Sequence, residues 1–594
     1  MRASRALAPL LGLCLSLLGL PGSARAAERS ELEKSVAAEA LSRLGWEEEP
    51  DPWGKTIEAI EIYALPVFDE RDPVPDFVNV FHVTSQAYVV RRQLLFEVGQ
   101  VASRQRTEET ERNLRDTRQL SLANVVVARG SQPGTVRMLV LVKDVWSLRL
   151  NSNIGLGADG LEYLLLNPSE ENLAGTQSSV GLLYRYEPFR QTFGGRYVQP
   201  RLGGTRYWLA GEGAVITNQA TGAAEGSSGL FYFELPLYSL RSRFSYGTRV
   251  AWLTEITRRT IGTELRDFQY ESPTGDVEQI PWQYGTERLA ADYFATRSWG
   301  LLSKRDLSFG LEFDHRRYRP PELDAYSPEA QAAFLEQAVP VSDRRFSPYA
   351  QLRLYEGRFH RVLDLELLGL QEDFRLGYEV LTRFFVASEA LGSSRDLVGT
   401  TVGLSYSWPF GNGLLRASLE NRLVVASQNR NEGILSWSGR VASPILGPGR
   451  LHVDLDGAAR YENYLNVAPF ALGGNGRLRG FRFNEFQGEN IVAWNVEYRT
   501  QSFDLLSAQV GFAAFYDAGD TPNEWSSIDL HQSAGVGVRV LFPQADRAVL
   551  RVDYGMPLDA DYDYRGGAVY VTFGQAFSLP GLTRPSVVAG LSPF

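Results

Sequence analysis

The residues best suited to chemistry in this sequence are one arginine and two carboxylates near its C-terminal end. Arg479 lies in the glycine-rich stretch 473–481, and Glu497 and Asp517 follow on the next two predicted strands. If the stretch enters a confined space, an unpaired guanidinium is costly, and a carboxylate can bind its planar fork through two hydrogen bonds. The pattern therefore predicts a buried pair of Arg479 with Asp517, with Glu497 close by. The alternative is a glycine turn beside surface charges.

The sequence shows no pattern typical of an enzyme. Its five histidines lie far apart along the chain, without metal-ligand spacing, and it contains neither a nucleophile-elbow motif nor a phosphate-binding loop. We therefore expect no catalytic activity, no metal and no cofactor. The histidines are His82, His315, His360, His452 and His531.

Residues 1–26 have the features of a secretory signal peptide. Two arginines precede an apolar run from Ala6 to Leu20, and Ala24-Arg25-Ala26 has the form of a cleavage site. The only cysteine, Cys14, lies in the apolar run, so the mature chain contains none. Export without a disulfide suits a Gram-negative envelope protein that stays unfolded while it crosses the periplasm.

The mature sequence has no apolar run of about 18 residues, so it predicts no membrane-spanning helix. It is rich in glycine and aromatic residues, with 56 Gly, 31 Phe, 27 Tyr and 11 Trp, and it carries a net charge of -10. Transmembrane β-strands need only about 9 to 11 alternating residues, and they leave the mean hydropathy ordinary. The acidic balance and the lack of a basic tail argue against nucleic acid as a partner.

The N-terminal part of the mature chain predicts a small mixed domain. Residues 27–55 form a charged leader and linker, which we expect to be loosely held, and residues 56–146 give the order strand, helix, helix, strand, strand. This order, with Leu94–Gly99 followed by Thr107–Arg115, resembles a polypeptide-transport-associated (POTRA) domain. Such a domain exposes a strand edge that can pair with an incoming extended chain. Residues 69–85 are inserted relative to the pattern, and they would cover or extend that edge. The alternative is an ordinary small domain that acts as a spacer.

Residues 147–577 predict a barrel. Nearly every segment alternates with period two between turn residues, most clearly in His531–Phe542, Val549–Met556 and Gly567–Phe577. An open sheet would leave unpaired edges, each costing several kcal/mol in lipid, so a transmembrane antiparallel β-barrel follows. A soluble sandwich would bury the apolar face instead, and alternation alone does not separate the two.

The C-terminal part of the barrel carries a series of ordered motifs. These are Gly473-Gly474 with Leu478-Arg479-Gly480-Phe481, then Glu497-Tyr498-Arg499, Phe515-Tyr516-Asp517-Ala518-Gly519, Ala534–Arg539, Asp553-Tyr554-Gly555 and a terminal strand ending at Phe577. The series resembles the outer-membrane assembly superfamily of BamA, TamA and the two-partner secretion transporters. The resemblance implies a 16-stranded barrel with five strands after a loop that folds into the lumen, where Glu497 and Asp517 bind Arg479. One departure is the tail 578–594, whose prolines disfavour another strand.

The resemblance also implies a function in the outer membrane. The protein would insert, assemble or translocate polypeptides, and its N-terminal domain would receive unfolded or partner polypeptides in the periplasm. A weak junction is expected between the first strand, near Leu148–Gly157, and the last, near Val569–Phe577, where Gly574 would lower pairing strength. Outer-membrane lipid is the other expected partner, and the oligomeric state and the client stay open. The alternative is a passive porin or structural barrel.

Overall fold

The computed structural model describes residues 31–68, 79, 82–117, 119–157, 160–560, 562–563 and 566–574. The predicted signal peptide, most of the 69–85 insertion, Phe577 and the tail 578–594 lie outside these residues. Within the described ranges, no helix is both long and apolar enough to cross a membrane.

The N-terminal domain is a three-stranded sheet with order β1-β3-β2, in which β1 runs parallel to β3 and β2 runs antiparallel to it. The predicted order of strand, helix, helix, strand, strand is present, although the first of these helices ends at Arg91. The elements are α1 (Glu31–Leu44), β1 (Thr56–Leu65), α2 (Ala87–Arg91), α3 (Arg104–Arg115), β2 (Leu120–Arg129) and β3 (Thr135–Asp144).

Helices cover both faces of this sheet. On one face, Val36, Ala37 and Ala40 of α1 are buried against Leu122 and Val126 of β2. The other face packs against α2 and α3. Strands buried on both faces form near-continuous apolar runs, as β2 and β3 do. The expectation of a loosely held leader is therefore wrong for α1, because contacts distant in sequence hold the helix in place.

The two edges of the sheet differ. The chain after α1 runs along the end of β2, where the amide of Glu49 donates to the carbonyl of Val127 and the amide of Arg129 donates to the carbonyl of Glu47, each at 2.9 Å. Along β1, the segment 99–102 pairs only as far as Ile57. From residue 58 onward, the edge of β1 that faces away from β3 has no strand beside it in the described part of the chain.

Residues 148–573 contain a closed antiparallel barrel, which has 20 strands among the described residues. Nine further short strands, β11 to β14, β18, β19, β25, β26 and β28, lie in the connections. In chain order the strands are β4 (Leu148–Gly157), β5 (Gly160–Leu173), β6 (Ser178–Glu187), β7 (Arg190–Gln199), β8 (Trp208–Asn218), β9 (Ala224–Leu235), β10 (Phe244–Arg258), β11 (Thr260–Ile261), β12 (Glu264–Leu265), β13 (Asp267–Glu271), β14 (Val277–Pro281), β15 (Gln283–Trp299), β16 (Ser303–Arg319), β17 (Asp343–Glu356), β18 (Phe359–Leu363), β19 (Gln371–Arg375), β20 (Gly377–Ala387), β21 (Leu397–Phe410), β22 (Gly413–Ala426), β23 (Glu432–Ala442), β24 (Gly449–Asn463), β25 (Phe470–Leu472), β26 (Phe486–Gly488), β27 (Asn490–Thr500), β28 (Phe503–Leu505), β29 (Ala508–Asp520), β30 (His531–Leu541), β31 (Leu550–Pro557) and β32 (Ala568–Phe573).

The expected count of 16 strands is wrong. Five barrel strands follow the loop at 464–489, as predicted, but fifteen precede it in the described chain instead of eleven. Each of these fifteen segments pairs with its neighbours along the ring, so none is left over as a loop. Since barrel diameter grows with strand number, the ring is wider than a 16-stranded one.

The barrel buries polar residues and exposes apolar ones. In β30, Arg539 is 1% exposed and points inward, whereas Val536 is 60% exposed and points outward. Leu182 and Phe309, on distant strands, are 62% and 60% exposed in the same way. A soluble sandwich would bury its apolar face, so the outer surface matches a lipid-facing one.

The two ends of the barrel differ in their connections. The end at which β4 begins lies next to the N-terminal domain, and we call it the domain end; the opposite end is the loop end. Long connections at the loop end, 259–282 and 320–342, share a small apolar cluster that includes Phe268 and Phe334. The second of these connections contains α4 (Pro328–Gln337). The connection 320–342 also contacts the connection 464–489, since the amide of Val341 donates to the carbonyl of Leu465 at 2.9 Å.

Candidate functional site in the barrel lumen

The connection between β24 and β27, residues 464–489, folds back into the lumen, and we call it the lumen loop. Its glycines Gly473, Gly474 and Gly480 have φ of 114°, 77° and 101°, values that other residues rarely adopt. A Cβ on Gly480 would lie 2.9 Å from the carbonyl carbon of Gly555 in β31. Glycine at this position therefore lets the loop lie directly against the barrel wall.

Arg479 is fully buried at the centre of this loop. Its Nε and Nη2 donate to Oδ2 and Oδ1 of Asp517 at 2.8 and 2.9 Å, and its backbone amide donates to the same Oδ2 at 3.2 Å. Its Nη1 donates to Oε2 of Glu497 at 3.0 Å. The two acids lie on the inward faces of the neighbouring strands β29 and β27. The structure thus brings together the three charged residues singled out from the sequence.

A third carboxylate, Asp553 on β31, also holds Arg479. Nη1 of Arg479 donates to Oδ2 of Asp553 at 2.9 Å. Arg539 then bridges the acids, with Nη1 donating to Asp553 at 2.5 Å and Nη2 donating to Glu497 at 3.0 Å. Arg499 donates to Glu497 at 2.6 Å. Asp553 belongs to the alternating segment Val549–Met556, in which it has the opposite parity to the apolar residues Leu550, Val552 and Tyr554. That parity is the sequence signal that Asp553 can reach the lumen.

These residues, with Arg551 beside Asp553 at 3.4 Å, form what we call the arginine network. Its four arginine and three carboxylate side chains are between 0% and 6% exposed. Charges this deeply buried are stable only while they contact one another, and removing one member leaves the others uncompensated. The network therefore fixes the position of the loop tip.

Aromatic rings pack around the tip of the lumen loop. The Cζ atom of Arg479 lies 3.3 Å from the ring centroid of Phe515, which gives a cation–π contact. Phe481 is buried, with its ring centroid 4.8 Å from that of Tyr562 and 5.2 Å from that of Phe486. Leu478 is also fully buried. Apolar burial on both sides of Arg479 excludes water from the charges.

Gly519 is the last residue of the motif Phe515-Tyr516-Asp517-Ala518-Gly519, and its role is to allow close packing of two strands. A Cβ there would lie 2.8 Å from the carbonyl oxygen of Val492 on β27. Glycine therefore allows β27 and β29 to lie close together where the lumen loop packs beside them, next to Leu472.

The lumen loop contacts strands on both sides of the barrel junction. On the last strand, β32, the hydroxyl of Tyr570 accepts from the amide of Gly480 and donates to the carbonyl of Phe481, both at 3.2 Å. Near the first strands, the amide of Phe483 donates to Glu162 of β5 at 3.4 Å. The loop is therefore a bridge across the place where the barrel closes.

That junction, which we call the seam, is the shortest strand pairing of the ring among the described residues. Three residue pairs of the described chain join β32 to β4: Val569 with Leu156, Tyr570 with Gly155, and Val571 with Ile154. Every other adjacent pair of barrel strands shares at least six residue pairs among the described residues. Gly574, expected to weaken the strand interior, lies one residue past the end of β32, with φ of 99°. Its effect on pairing strength stays a prediction.

At the domain end, a hairpin of β18 and β19, residues 359–375, extends beneath the lumen. Val362 and Leu365 pack against Leu414 and Ala442, at the ends of β22 and β23. Leu368 reaches further, to the turn between β30 and β31, where it packs against Leu541 and Val549. The hairpin leaves the wall between β17 and β20, so these contacts carry it across the barrel mouth.

The same hairpin is attached to the N-terminal domain. Arg115 of α3 contacts Asp373 at 2.7 Å, and Arg361 donates to Glu111 of α3 at 2.7 Å. Gln371 donates to Glu33 of α1 at 2.9 Å. A movement of the N-terminal domain would therefore displace the hairpin.

Glu372 stabilises the turn of the hairpin. Its Oε2 accepts from the backbone amides of Leu365, Glu366 and Leu367 at 3.0, 2.8 and 3.1 Å. Burial, followed by the nearby charge of Glu366, raises the pKa of Glu372 to about 8. The carboxyl therefore holds a proton more strongly in the folded hairpin than an exposed glutamate does.

The arginine network lies in a region that is similar to a known family. Residues 462–577 match the sequence profile of the Omp85 superfamily domain. The matched region contains the lumen loop and the last five barrel strands. The family expected from the motif series is thereby confirmed for this part of the chain, and the Omp85 domain within a closed barrel indicates an outer-membrane β-barrel protein.

Three solved structures match the chain at low similarity. BamA from Haemophilus ducreyi lacking POTRA domains 1–3 is 12% identical, with 87% of this chain and 84% of that chain covered and a TM-score of 0.33. CdiB from Acinetobacter baumannii is 12% identical, with 88% and 74% covered and a TM-score of 0.41. CdiB from Escherichia coli is 12% identical, with 88% and 77% covered and a TM-score of 0.41. No curated protein sequence matches the chain.

Proposed function

We propose that this protein inserts, assembles or translocates polypeptides in the outer membrane, with its N-terminal domain in the periplasm. The observation that carries the proposal is the lumen loop, which is held by the arginine network and contacts both sides of a three-pair seam. A barrel that served only as a structural element would gain nothing from a weak seam that is bridged by a loop held through the buried arginine network. The same features suit a barrel that opens.

The obstructed ends of the barrel favour sideways opening. The lumen loop and its neighbouring connections cover the loop end, and the 359–375 hairpin lies across the domain end. A backbone hydrogen bond contributes only about 0.5 to 1.5 kcal/mol net, so a seam of a few bonds is the least costly part of the ring to separate. A client would therefore leave the barrel through the seam toward the lipid. The same obstructions argue against an open passive porin.

The N-terminal domain offers clients a strand edge. Residues 58–65 of β1 present backbone groups that no described strand pairs, whereas residues 127–129 of β2 are already paired by the chain's own segment 47–49. An extended polypeptide can add to a free edge through main-chain hydrogen bonds, with little dependence on sequence. Helices cover both faces of the sheet, so we assign client reception to the β1 edge.

Site-specific crosslinking tests this proposal. A photoreactive residue replaces Glu61 on the free edge, and the control places the same residue at Arg129 on the paired edge. Capture of unfolded barrel precursors at position 61 supports insertion, and capture of one soluble partner supports translocation. Absence of capture, or equal capture at both positions, favours the passive or structural barrel.

A further inference from the structure

Three arginines from two parts of the chain converge at the domain end. Arg92 follows α2 in the N-terminal domain, and Arg201 and Arg206 lie in the turn between β7 and β8. The guanidinium of Arg92 lies against this turn, with Nη1 2.0 Å from the position that a Cβ on Gly204 would take. Burial, together with the charges of Arg92 and Arg206, lowers the pKa of Arg201 to about 10. The three cations are therefore close enough to repel one another.

Among the described residues, this cluster contains no acid, unlike the arginine network. In the described ranges, none of the three arginines forms an ion pair with a carboxylate. Arg201 donates to the amide oxygen of Gln177 at 3.1 Å, and Arg206 lies over the ring of Tyr238 at 3.5 Å. Neutral partners orient the guanidinium groups but leave their charge uncompensated. Bringing like charges together is unfavourable unless an anion joins them.

The position of the cluster indicates which anion is available. Tyr197 of β7 and Phe244 of β10, both near the domain end, point outward and are 37% and 61% exposed. Aromatic side chains in this position mark the level of the lipid headgroups on transmembrane barrels. Two more arginines, Arg241 and Arg243, are exposed on the next turn at the same end. The planar guanidinium fork matches a phosphate group, and basic pockets at the membrane surface hold anionic headgroups.

We propose that Arg92, Arg201 and Arg206 bind the phosphate of an anionic phospholipid headgroup in the leaflet at the domain end. The site joins the N-terminal domain to the barrel rim, so a bound lipid would fix the domain against the membrane surface. The inference rests on the barrel lying in a membrane, as proposed above, and does not depend on whether the protein handles polypeptides.

Lipid retention by the purified full-length protein tests the site. Native mass spectrometry measures binding of phosphatidylglycerol, with phosphatidylcholine as the zwitterionic comparison, to wild type and to R92Q/R201Q/R206Q. The matched control, R317Q/R319Q/R430Q, removes three arginines at the loop end, of which Arg317 and Arg319 are exposed. We expect the first variant to bind phosphatidylglycerol on the order of a hundredfold more weakly and the control to bind it as wild type does.

Several results would overturn the assignment. Equal binding of phosphatidylcholine, unchanged binding by the first variant, or the same loss in the control would each contradict it. Displacement of phosphatidylglycerol by millimolar inorganic phosphate would assign the cluster to free phosphate. Should the triple variant fail to fold, as judged by heat-modifiable gel mobility, the single variant Arg206→Gln is used, with a loss of about fivefold expected. The measurement includes no client, so failure of the polypeptide proposal leaves its outcome unchanged.

Discussion

Replacing Arg479 by alanine tests whether charge holds the lumen loop in place. The guanidinium donates four hydrogen bonds to three buried carboxylates. Removing one member of a desolvated pair costs about 3 to 5 kcal/mol, whereas an exposed pair is worth roughly 0 to 1 kcal/mol. Asp517→Asn leaves Arg479 with two other acids and weakens two charge-assisted bonds, so we expect a loss of about 2 to 3 kcal/mol. In a protein that already lacks the Arg479 side chain, Asp517→Asn removes few further interactions and should cost little additional stability.

A double-mutant cycle measures this coupling. The free energy of unfolding of the purified barrel is followed by urea titration and heat-modifiable mobility for both single variants and the double variant. The double variant should be no less stable than Arg479→Ala alone, which gives a coupling of about 2 to 3 kcal/mol. Both single variants should insert, lose activity and show greater protease access at 477–481. The control pair, Arg319→Ala with Glu287→Gln, has side chains 54% and 33% exposed and should change stability by less than about 1 kcal/mol. Strict additivity of the Arg479 and Asp517 substitutions would refute the reasoning.

Three further predictions concern the hairpin, the seam and the N-terminal domain. Because the pKa of Glu372 is raised from 4.5 to about 8, hairpin stability should be complete below about pH 4.5 and fall as the pH rises through 8. Glu372→Gln should remove this dependence in hydrogen-exchange protection factors of residues 365–367, and a flat wild-type profile would contradict it. A disulfide between Ile154→Cys and Val571→Cys should block activity until it is reduced, whereas one between Val538→Cys and Val552→Cys, which joins strands away from the seam, should not. Full activity of the seam-locked protein would exclude sideways opening. Residues 27–146 expressed alone should unfold cooperatively, and absence of a transition would count against an independent domain.

Local patterns were enough to predict the centre of the site. Alternation fixes the side of the sheet to which each residue of a strand points, so Asp517 and Glu497 could be placed on one face from the sequence. The glycines around Arg479 marked a sharp turn for the same local reason. Asp553 had the same parity, but its role depends on how the loop approaches β31, which spacing along the chain does not determine.

Features that depend on distant contacts were missed. The weakly amphipathic α1 gave little sign of burial, because its partners, Leu122 and Val126, lie some 80 residues away. The 359–375 hairpin has two short strands that pair only with each other in the described chain, and it is held by Leu414 and Leu541. The strand count was wrong because alternation identifies strands but not how many of them join the ring.

The separation along the chain between contacting residues suggests an order of folding. The acids that bind Arg479 lie 38, 18 and 74 residues from it, all within the last five barrel strands. The contact of Phe573 with Asn153 beside the seam joins residues 420 apart. Bringing distant segments together costs more entropy than joining near ones, so contacts between distant segments form late. The C-terminal strands can therefore assemble around Arg479 while the barrel is still an open sheet. The arginine network then forms before the ring closes.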